Sequence, residues 1–492
     1  MAEPNPLPAF RVVGFTGHRQ LRDPAGVAGA LAAVLEEVRG RGGAEWIALS
    51  SAAAGADLAF ARTALRLGLS WEVLLPLPPA DFRTDFDAAT WTEVEALLSR
   101  AEEVRVVSEG AAREDAYLDC GMETVNHCDL LLAVWDGAPA RGRGGTAEIV
   151  AYARELGRPL VIIDPADLSV RRERLERLAA GDTNLDFLNR LPASGPGEGD
   201  DDRGLATVKA FQARTDRAAT AHAPHDKRLV AVTIWLHVLA TAIATAGLAF
   251  DLHLAALPWG KLACLLAALG VATLVRHRRE QHGWVRCRLA AEIARSTLAT
   301  WGLPRPLRLL GESGWPELEP LLRSLDIVHR RSAKAHPVPF ARFKEHYIRE
   351  RIDGQLAYFA RQQGRALPQR DRLRLGFFVC SLLALCFTAA YASHTLLPGM
   401  EAPGWVRSSI YSFGPILLPV LAAAFMSIVH VNDLHRRVAR YEELRGRLEA
   451  ARKEASFAQT WGSLERVVAR VERALLQEVF EWHSITSFSE SH

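Results

Sequence analysis

The sequence predicts an α/β fold, a mostly parallel sheet covered by helices, followed by an all-α membrane domain of four transmembrane helices in two hairpins. Three observations carry this. Residues 10–165 alternate short apolar runs with helical spacing, residues 229–431 hold four long apolar runs, and an acidic, glycine-rich stretch at 192–202 lies between them. Strand–helix alternation needs crossover connections, and these bury both faces of a parallel sheet. Apolar runs of about 20 residues match the thickness of a bilayer.

The elements follow in order. Phe10–Gly14 is apolar and β-branched, Pro24–Arg39 has helical spacing, and Trp46–Ser50 is a short strand. Asp57–Leu67 reads as a helix, Trp71–Leu75 as a strand, Thr90–Leu98 as a helix and Val104–Val107 as a strand. Arg113–Asn126 is helical, Asp129–Trp135 is a wholly apolar strand after its first residue, Thr146–Leu156 is a helix and Leu160–Ile163 closes the first domain, residues 1–165. A linker over 166–225 contains a charged helix at Arg171–Leu178, a flexible acidic break at Pro192–Asp202 and a helix at Leu205–Arg217. The remainder, 226–492, is the membrane domain, with spans at about 229–250, 258–275, 375–397 and 410–431 joined to cytoplasmic amphipathic helices.

With 492 residues the chain has room for several domains, and a net charge of +2 spread over mixed segments excludes little. No basic stripe with interleaved aromatics stands out, so no nucleic-acid partner is expected. The six cysteines (Cys120, Cys128, Cys264, Cys287, Cys380 and Cys386) show no CxxC pair and read as reduced, mostly buried thiols. Cys120, His127 and Cys128 lack a fourth neighbour, so packing is preferred over a metal site. The N-terminus has no basic region followed by an apolar stretch; a signal peptide is not expected, and the first domain is expected in the cytoplasm.

In open parallel sheets ligands bind beyond the carboxyl ends of the strands. After the first strand comes Gly14-Phe15-Thr16-Gly17-His18-Arg19, where glycines permit close approach and Thr16, His18 and Arg19 supply donors. After the second comes Ser50-Ser51-Ala52-Ala53-Ala54-Gly55-Ala56-Asp57, a small-residue turn that opens a helix and its positive end. After the fifth come Trp135-Asp136-Gly137 and then Gly144-Gly145-Thr146-Ala147-Glu148, a second glycine-rich turn opening a helix. Three such turns at one sheet edge point to a phosphate-containing ligand, and no cofactor is implied. Neither a Walker P-loop nor GxGxxG is present, which disfavours ATP hydrolysis and dehydrogenase chemistry.

These residues resemble the SLOG superfamily. GFTGHR, SSAAAGAD, LLPLPPADF and CDLLLAVWDG followed by GGTAE are similar to that Rossmann-like group, over roughly residues 10–165. The resemblance implies binding of a nucleotide-derived signal, ADP-ribose-like or cyclic. Hydrolase members carry PGGxGTxxE, whereas here Gly142-Arg143-Gly144-Gly145-Thr146-Ala147-Glu148 lacks the leading proline and sets Glu148 one residue nearer Thr146. One residue turns a helical side chain by about 100°. Glu148 is therefore either a first-turn carboxylate facing the helix dipole, a ribose contact or, were the chain a nucleotide N-glycosidase or phosphoribohydrolase, its catalytic carboxylate.

In the membrane half, Lys227, Arg228, Arg276, Arg278, Arg279, Arg370, Arg372, Arg374, Arg436 and Arg437 flank the open sides of the hairpins. The short connections carry Lys261 and Arg407 at their edges. The positive-inside rule then places both termini and the soluble parts in the cytoplasm of a multi-pass inner-membrane protein. The spans contain no acidic residue, which argues against a transporter or proton relay. Thr233, Ala240, Thr241, Ala244, Thr245, Thr388 and Ser393 form small and hydroxylated stripes suited to close packing. Pro415 and Pro419 are expected to bend the fourth span. The WVRCRLAAEI stretch, with FKEHYIRERIDGQLAYF and Tyr441–Trp482, resembles the SLATT domain over roughly 226–492. That resemblance implies a bacterial antiviral-defence effector that perturbs the membrane or opens an ion channel in it. Lipid, a nucleotide signal and further copies of the chain are the expected partners.

Overall fold

A computed structural model describes the chain apart from residues 1–5, 42, 109–111, 140–141, 180–182, 193–201, 222–225, 255, 280–282, 308–317, 396–401 and 489–492. Most of the expected acidic break, residues 193–201, thus lies outside the described residues. The chain forms two compact units, Asn5–Arg190 with Ser313–Ile327, and Leu191–Glu312 with Val328–His492.

The first unit is a seven-stranded sheet in the order β4-β3-β2-β1-β5-β6-β7. Its strands are β1 (Phe10–Gly17), β2 (Glu45–Ser50), β3 (Ser70–Leu75), β4 (Glu103–Val106), β5 (Leu130–Val134), β6 (Leu160–Ile163) and β7 (Val170–Glu173). All pairs are parallel except β6 with β7. The helices are α1 (Pro24–Arg39), α2 (Ala56–Arg66), α3 (Pro79–Phe82), α4 (Ala88–Leu98), α5 (Arg113–His127), α6 (Thr146–Glu155), α7 (Glu176–Ala179) and α8 (Thr183–Asn189). Every residue of β5 and β6 is buried, which is why both read as unbroken apolar runs. From β1 the chain steps outward to β4, then returns to lay β5 on the other side of β1. The switch point of the topology is therefore the β1–β5 pair, whose register sets Gly17 beside Val134.

Two expectations change. Val170–Glu173 is an antiparallel edge strand where the charge pattern predicts a helix over Arg171–Leu178, with only the short α7 following it. The charges belong to the edge: Arg154 makes two bonds to Glu173 at 3.0 and 2.8 Å, and Arg172 reaches Glu37 at 2.7 Å. The boundary expected at residue 165 accordingly falls at Arg190, and Ser313–Ile327, expected in the membrane domain, belongs with the sheet. That segment is held by Arg323, which pairs with Asp129 and with Glu319 at 2.8 Å, while Asp129 also accepts the Val12 amide at 2.7 Å. Burial alone would lower the Arg323 pKa, but the two carboxylates outweigh it and hold the guanidinium charged.

The second unit is helical: α9 (Arg203–Ala221), α10 (Asp226–Ala249), α11 (Ala256–Arg279), α12 (Gly283–Ala299), α13 (Glu319–Ala335, whose first half counts with the sheet), α14 (Phe340–His346), α15 (Gly354–Thr395), α16 (Gly404–Val406), α17 (Gly414–Val431), α18 (Leu434–Phe457) and α19 (Trp461–Phe488). Two π-helical stretches, Tyr347–Asp353 and Arg407–Phe413, lead into α15 and α17. Helices α10 and α11 pair, as do α15 and α17, and α10 also packs on α17. These four stretches are long and apolar enough to cross a membrane. Outward apolar residues on them are bare: Leu248 is 83% exposed and Leu385 67%. The hydroxyls of Thr233, Thr241, Thr245, Thr388 and Ser393 donate to the carbonyl four residues back, so the small stripes satisfy themselves within their helices.

Away from the apolar spans, α14, the first π-helical stretch, the start of α15, α18 and α19 share a core that includes Phe343, Tyr347, Phe359, Leu448 and Val468. Within it Glu472 is wholly buried, yet every one of its oxygens is used. It accepts from Arg351 at 2.8 and 2.6 Å, from the Tyr347 hydroxyl at 2.9 Å and from Ser296 at 2.8 Å. Removing one member of such a buried pair strands the other, at a cost of about 3–5 kcal/mol. Arg351→Ala should therefore lower the Tm of the full chain in detergent by several degrees, and the paired Arg351→Met/Glu472→Leu variant should recover most of it. A single variant as stable as the parent would contradict this.

Candidate functional site

The carboxyl edge of the sheet brings the predicted turns together around His18. Its amide donates to Val134 O on β5 at 3.3 Å, and its carbonyl accepts the Ala56 amide at the start of α2 at 3.0 Å. Its imidazole Nε2 faces Asp136, 3.2 Å from the amide and 3.1 Å from Oδ1. The loops after β1, β2 and β5 are thus tied at one residue, at the switch point.

Arg19 follows, exposed, with its guanidinium 4.7 Å from the centre of the Tyr117 ring on α5. No described acidic group pairs with it. Tyr117 is fixed in turn by a hydrogen bond to Asp85, and Arg113 grips the same carboxylate from the same helix, with its Nε at 2.9 Å. Burial, reinforced by Asp85, pushes the Tyr117 phenol up and keeps it a donor. Tyr117, Arg113 and Asp85 were missed by sequence reasoning, although the Arg113-x-x-x-Tyr117 spacing puts both side chains on one face of the helix that follows β4.

The glycines make close contacts within the protein itself. A Cβ at Gly14 would lie 2.8 Å from the Cys128 Cβ, and one at Gly17 would lie 2.6 Å from the Ala56 Cβ. Gly55 has φ +82°, and a Cβ there would come within 2.2 Å of the Arg19 carbonyl oxygen. Gly144 likewise has φ +73° and lies against the backbone of Tyr117 and Leu118. Gly145 is the N-cap of α6, and the largely buried Thr146 begins that helix. Beyond Gly137, with φ +79°, the space is open.

Two carboxylates serve these turns. Glu148 accepts the Gly144 amide at 2.8 Å, the first-turn role its position allows. Asp57 is buried and accepts from the Ser51 hydroxyl at 2.8 Å. Burial raises its pKa to about 7, against the opposing pull of Ser51 and of the Arg19 charge. Ser50 faces inward and accepts from the Trp71 indole at 3.0 Å. Ala52, φ +58°, is a non-glycine residue in the left-handed region between them, a local strain of the kind that clusters at working sites. Thr16 is half-buried on β1, and Trp135 donates to Ala138 O at 2.9 Å with Arg154 over its ring at 5.5 Å.

Helix starts at this edge differ in how they are capped. Asp23 and Asp87 cap α1 and α4 by accepting from Gly26 and Thr90, whereas the N-caps of α2, α5 and α6 (Gly55, Ala112 and Gly145) supply no side-chain cap. All five follow parallel strands and so begin at the carboxyl edge, and at the three without a side-chain cap the positive end favours an anion. The thiols of Cys120 and Cys128 are buried and bond to Leu74 O and Val125 O, and burial pushes Cys128 up to about 12. Among the described residues no group of three or more His, Cys, Asp or Glu side chains gathers as a metal site.

The raised Asp57 pKa fixes a pH signature. Folding binds the Asp57 proton more tightly than the unfolded chain does, so this contribution is full below about pH 4 and is lost as pH rises through about 7. Asp57→Asn removes the loss. Its unfolding free energy relative to the parent, from denaturant titration, should rise between about pH 4 and about pH 7 and then level off, by an amount on the order of a few kcal/mol. A difference that does not change with pH would remove Asp57 as the titrating group. No family model matches this chain and no curated protein matches it, so the geometry itself carries the functional reading.

Proposed function

We propose that this chain is a membrane-anchored sensor, in which a nucleotide-derived ligand bound at the β1–β5 switch point controls the four apolar helices. The observation that carries the reading is the meeting of His18 and Asp136 across that switch point, with Arg19 next along the chain, exposed, and its guanidinium over the Tyr117 ring. Crevices at such points take nucleotides in open α/β sheets. Asp136 and His18 suit ribose hydroxyls, while Arg19 and the uncapped starts of α2 and α5 suit phosphate.

On this reading the sheet unit is a SLOG-like sensor of an ADP-ribose-like or cyclic nucleotide, and the helical unit is a SLATT-like effector. The effector acts as a homo-oligomer in the bacterial inner membrane, with both termini cytoplasmic, and opens a pore or perturbs the bilayer in antiviral defence. Moving such a device from mostly closed to mostly open takes on the order of 10⁴-fold preference for the open state. Several charge-assisted bonds of about 1.5–3 kcal/mol each are sufficient. Glu148 supports this reading over the N-glycosidase alternative, because its carboxylate is engaged by the Gly144 amide of its own turn.

The test is titration of the full chain in detergent with ADP-ribose and a panel of cyclic mono- and dinucleotides, followed by dye release from proteoliposomes. A ligand of micromolar affinity or better is expected, with Arg19→Ala weakening it at least tenfold and Glu148→Ala leaving it unchanged. Binding without dye release would sink the effector half, and no binding across the panel would sink the sensor half. Base release from a nucleoside monophosphate that disappears in Glu148→Ala would select the hydrolase instead.

A further inference from the structure

A cleft of about 480 Å³ lies where α10, α15 and α17 converge, at the end of the apolar spans that the flanking arginines mark as cytoplasmic. Its volume is within the range of sites that hold small molecules, roughly 300–1,000 Å³. Its lining is graded. Trp235 and Ile428 form an apolar floor on the side of the spans, and Trp235 is steadied edge-on by Phe425, with ring centres 5.9 Å apart. The mouth carries Arg228, Arg365, Gln369 and Arg372.

Sequence spacing explains the convergence. Arg228 and Trp235 stand seven residues apart on α10, and Arg365 and Arg372 stand seven apart on α15, so each pair shares one helix face across about 10 Å. Pro368, inside α15, lies on the same face between the two arginines. Among the described residues no carboxylate pairs with Arg228, Arg365 or Arg372. Near Arg365 and Arg372, Asp371 holds Arg370 at 2.9 Å, and past the end of α17 Asp433 lies 4.0 Å from Arg436. Three like charges around one opening repel each other unless an anion joins them, and guanidinium matches phosphate geometry.

We infer that this cleft is a binding site for the phosphate of an anionic phospholipid headgroup, with the arginines on the phosphate and the apolar floor against the glycerol and first acyl carbons. The inference rests on the proposed membrane insertion of the four helices. A free phosphate would use the arginines alone; the apolar floor is what favours lipid.

The experiment uses the full chain in neutral detergent and native mass spectrometry, with phosphatidylglycerol, phosphatidylcholine of the same acyl chains, and soluble glycerol 1-phosphate as probes. Flotation with vesicles of phosphatidylcholine alone is measured in parallel. Phosphatidylglycerol should be retained with at least tenfold preference over phosphatidylcholine, and the preference should fall below threefold in the Arg365→Gln/Arg372→Gln variant while that variant still floats. No preference in the parent chain, or a preference that survives the substitutions, overturns the site. Glycerol 1-phosphate competing as strongly as the lipid overturns lipid as the occupant. Failure of the parent chain to float sinks the membrane reading itself, separately from the cleft. Should the double variant not fold, the parent's preference between the two lipids decides.

Discussion

Parallel pairing of β1 with β5 is the constraint on which the soluble unit turns. Register fixes Gly17 beside Val134, so the next residue of each strand must leave the sheet at the same place. His18 and Asp136 meet for that reason, and the His18 carbonyl then sets the first amide of α2. The opposite end of the pair is locked as firmly. Asp129, just before β5, holds the Val12 amide and the Arg323 guanidinium, drawing in a segment from far along the chain. One strand pair thus organises both rims, and displacing either rim requires shifting hydrogen bonds in the centre of the sheet, where they are best protected.

The turns at the carboxyl rim contain anions of the protein's own. Asp57 occupies the turn after β2, and Glu148 holds the amide that precedes α6. A phosphate bound here, as proposed, would compete with Asp57 for the positive potential of Arg19 and of the helix start. Asp57 can yield by taking a proton, because burial has already brought its pKa to about 7. On the proposed reading, anion binding at this rim and proton uptake by Asp57 favour one another near neutral pH.

Much of this was legible in the sequence, and the failures have physical causes. The buried strands β1, β2, β3 and β5 are short, mostly apolar runs followed by glycine, serine or turn residues, and their brevity between helical patterns marks them as strands. Strand β7 was misread because an edge strand needs no apolar face, so Val170-Arg171-Arg172-Glu173 looks like the start of an amphipathic helix. Ser313–Ile327 was misassigned because its place depends on Arg323 meeting Asp129, 194 positions away, which no local pattern encodes. At the site, the turns were legible as glycine and small-residue motifs, but the part played by their glycines was not. Gly17 and Gly55 make room for Ala56 and the Arg19 carbonyl, and sequence alone cannot distinguish that from room for a ligand. Tyr117 escaped notice for the same reason as Arg323, since Asp85 lies 32 positions before it.

Charge placement in the helical unit follows one rule with two outcomes. A buried carboxylate is tolerated where every oxygen has a donor, as at Glu472, and the apolar spans, which offer few donors, carry no acidic residue at all. Arginine obeys the rule differently, because its long stem allows the head to leave an apolar layer while the backbone stays inside it. Arginines therefore accumulate at span ends, where acids are sparse and cannot pair with all of them. Among the described residues Arg228, Arg365 and Arg372 have no carboxylate partner, and helical periodicity collects these three around one cleft. The absence of acids that makes the spans insertable is thus the same feature that leaves a cationic opening at their edge. An anion from outside the protein is the group able to complete it.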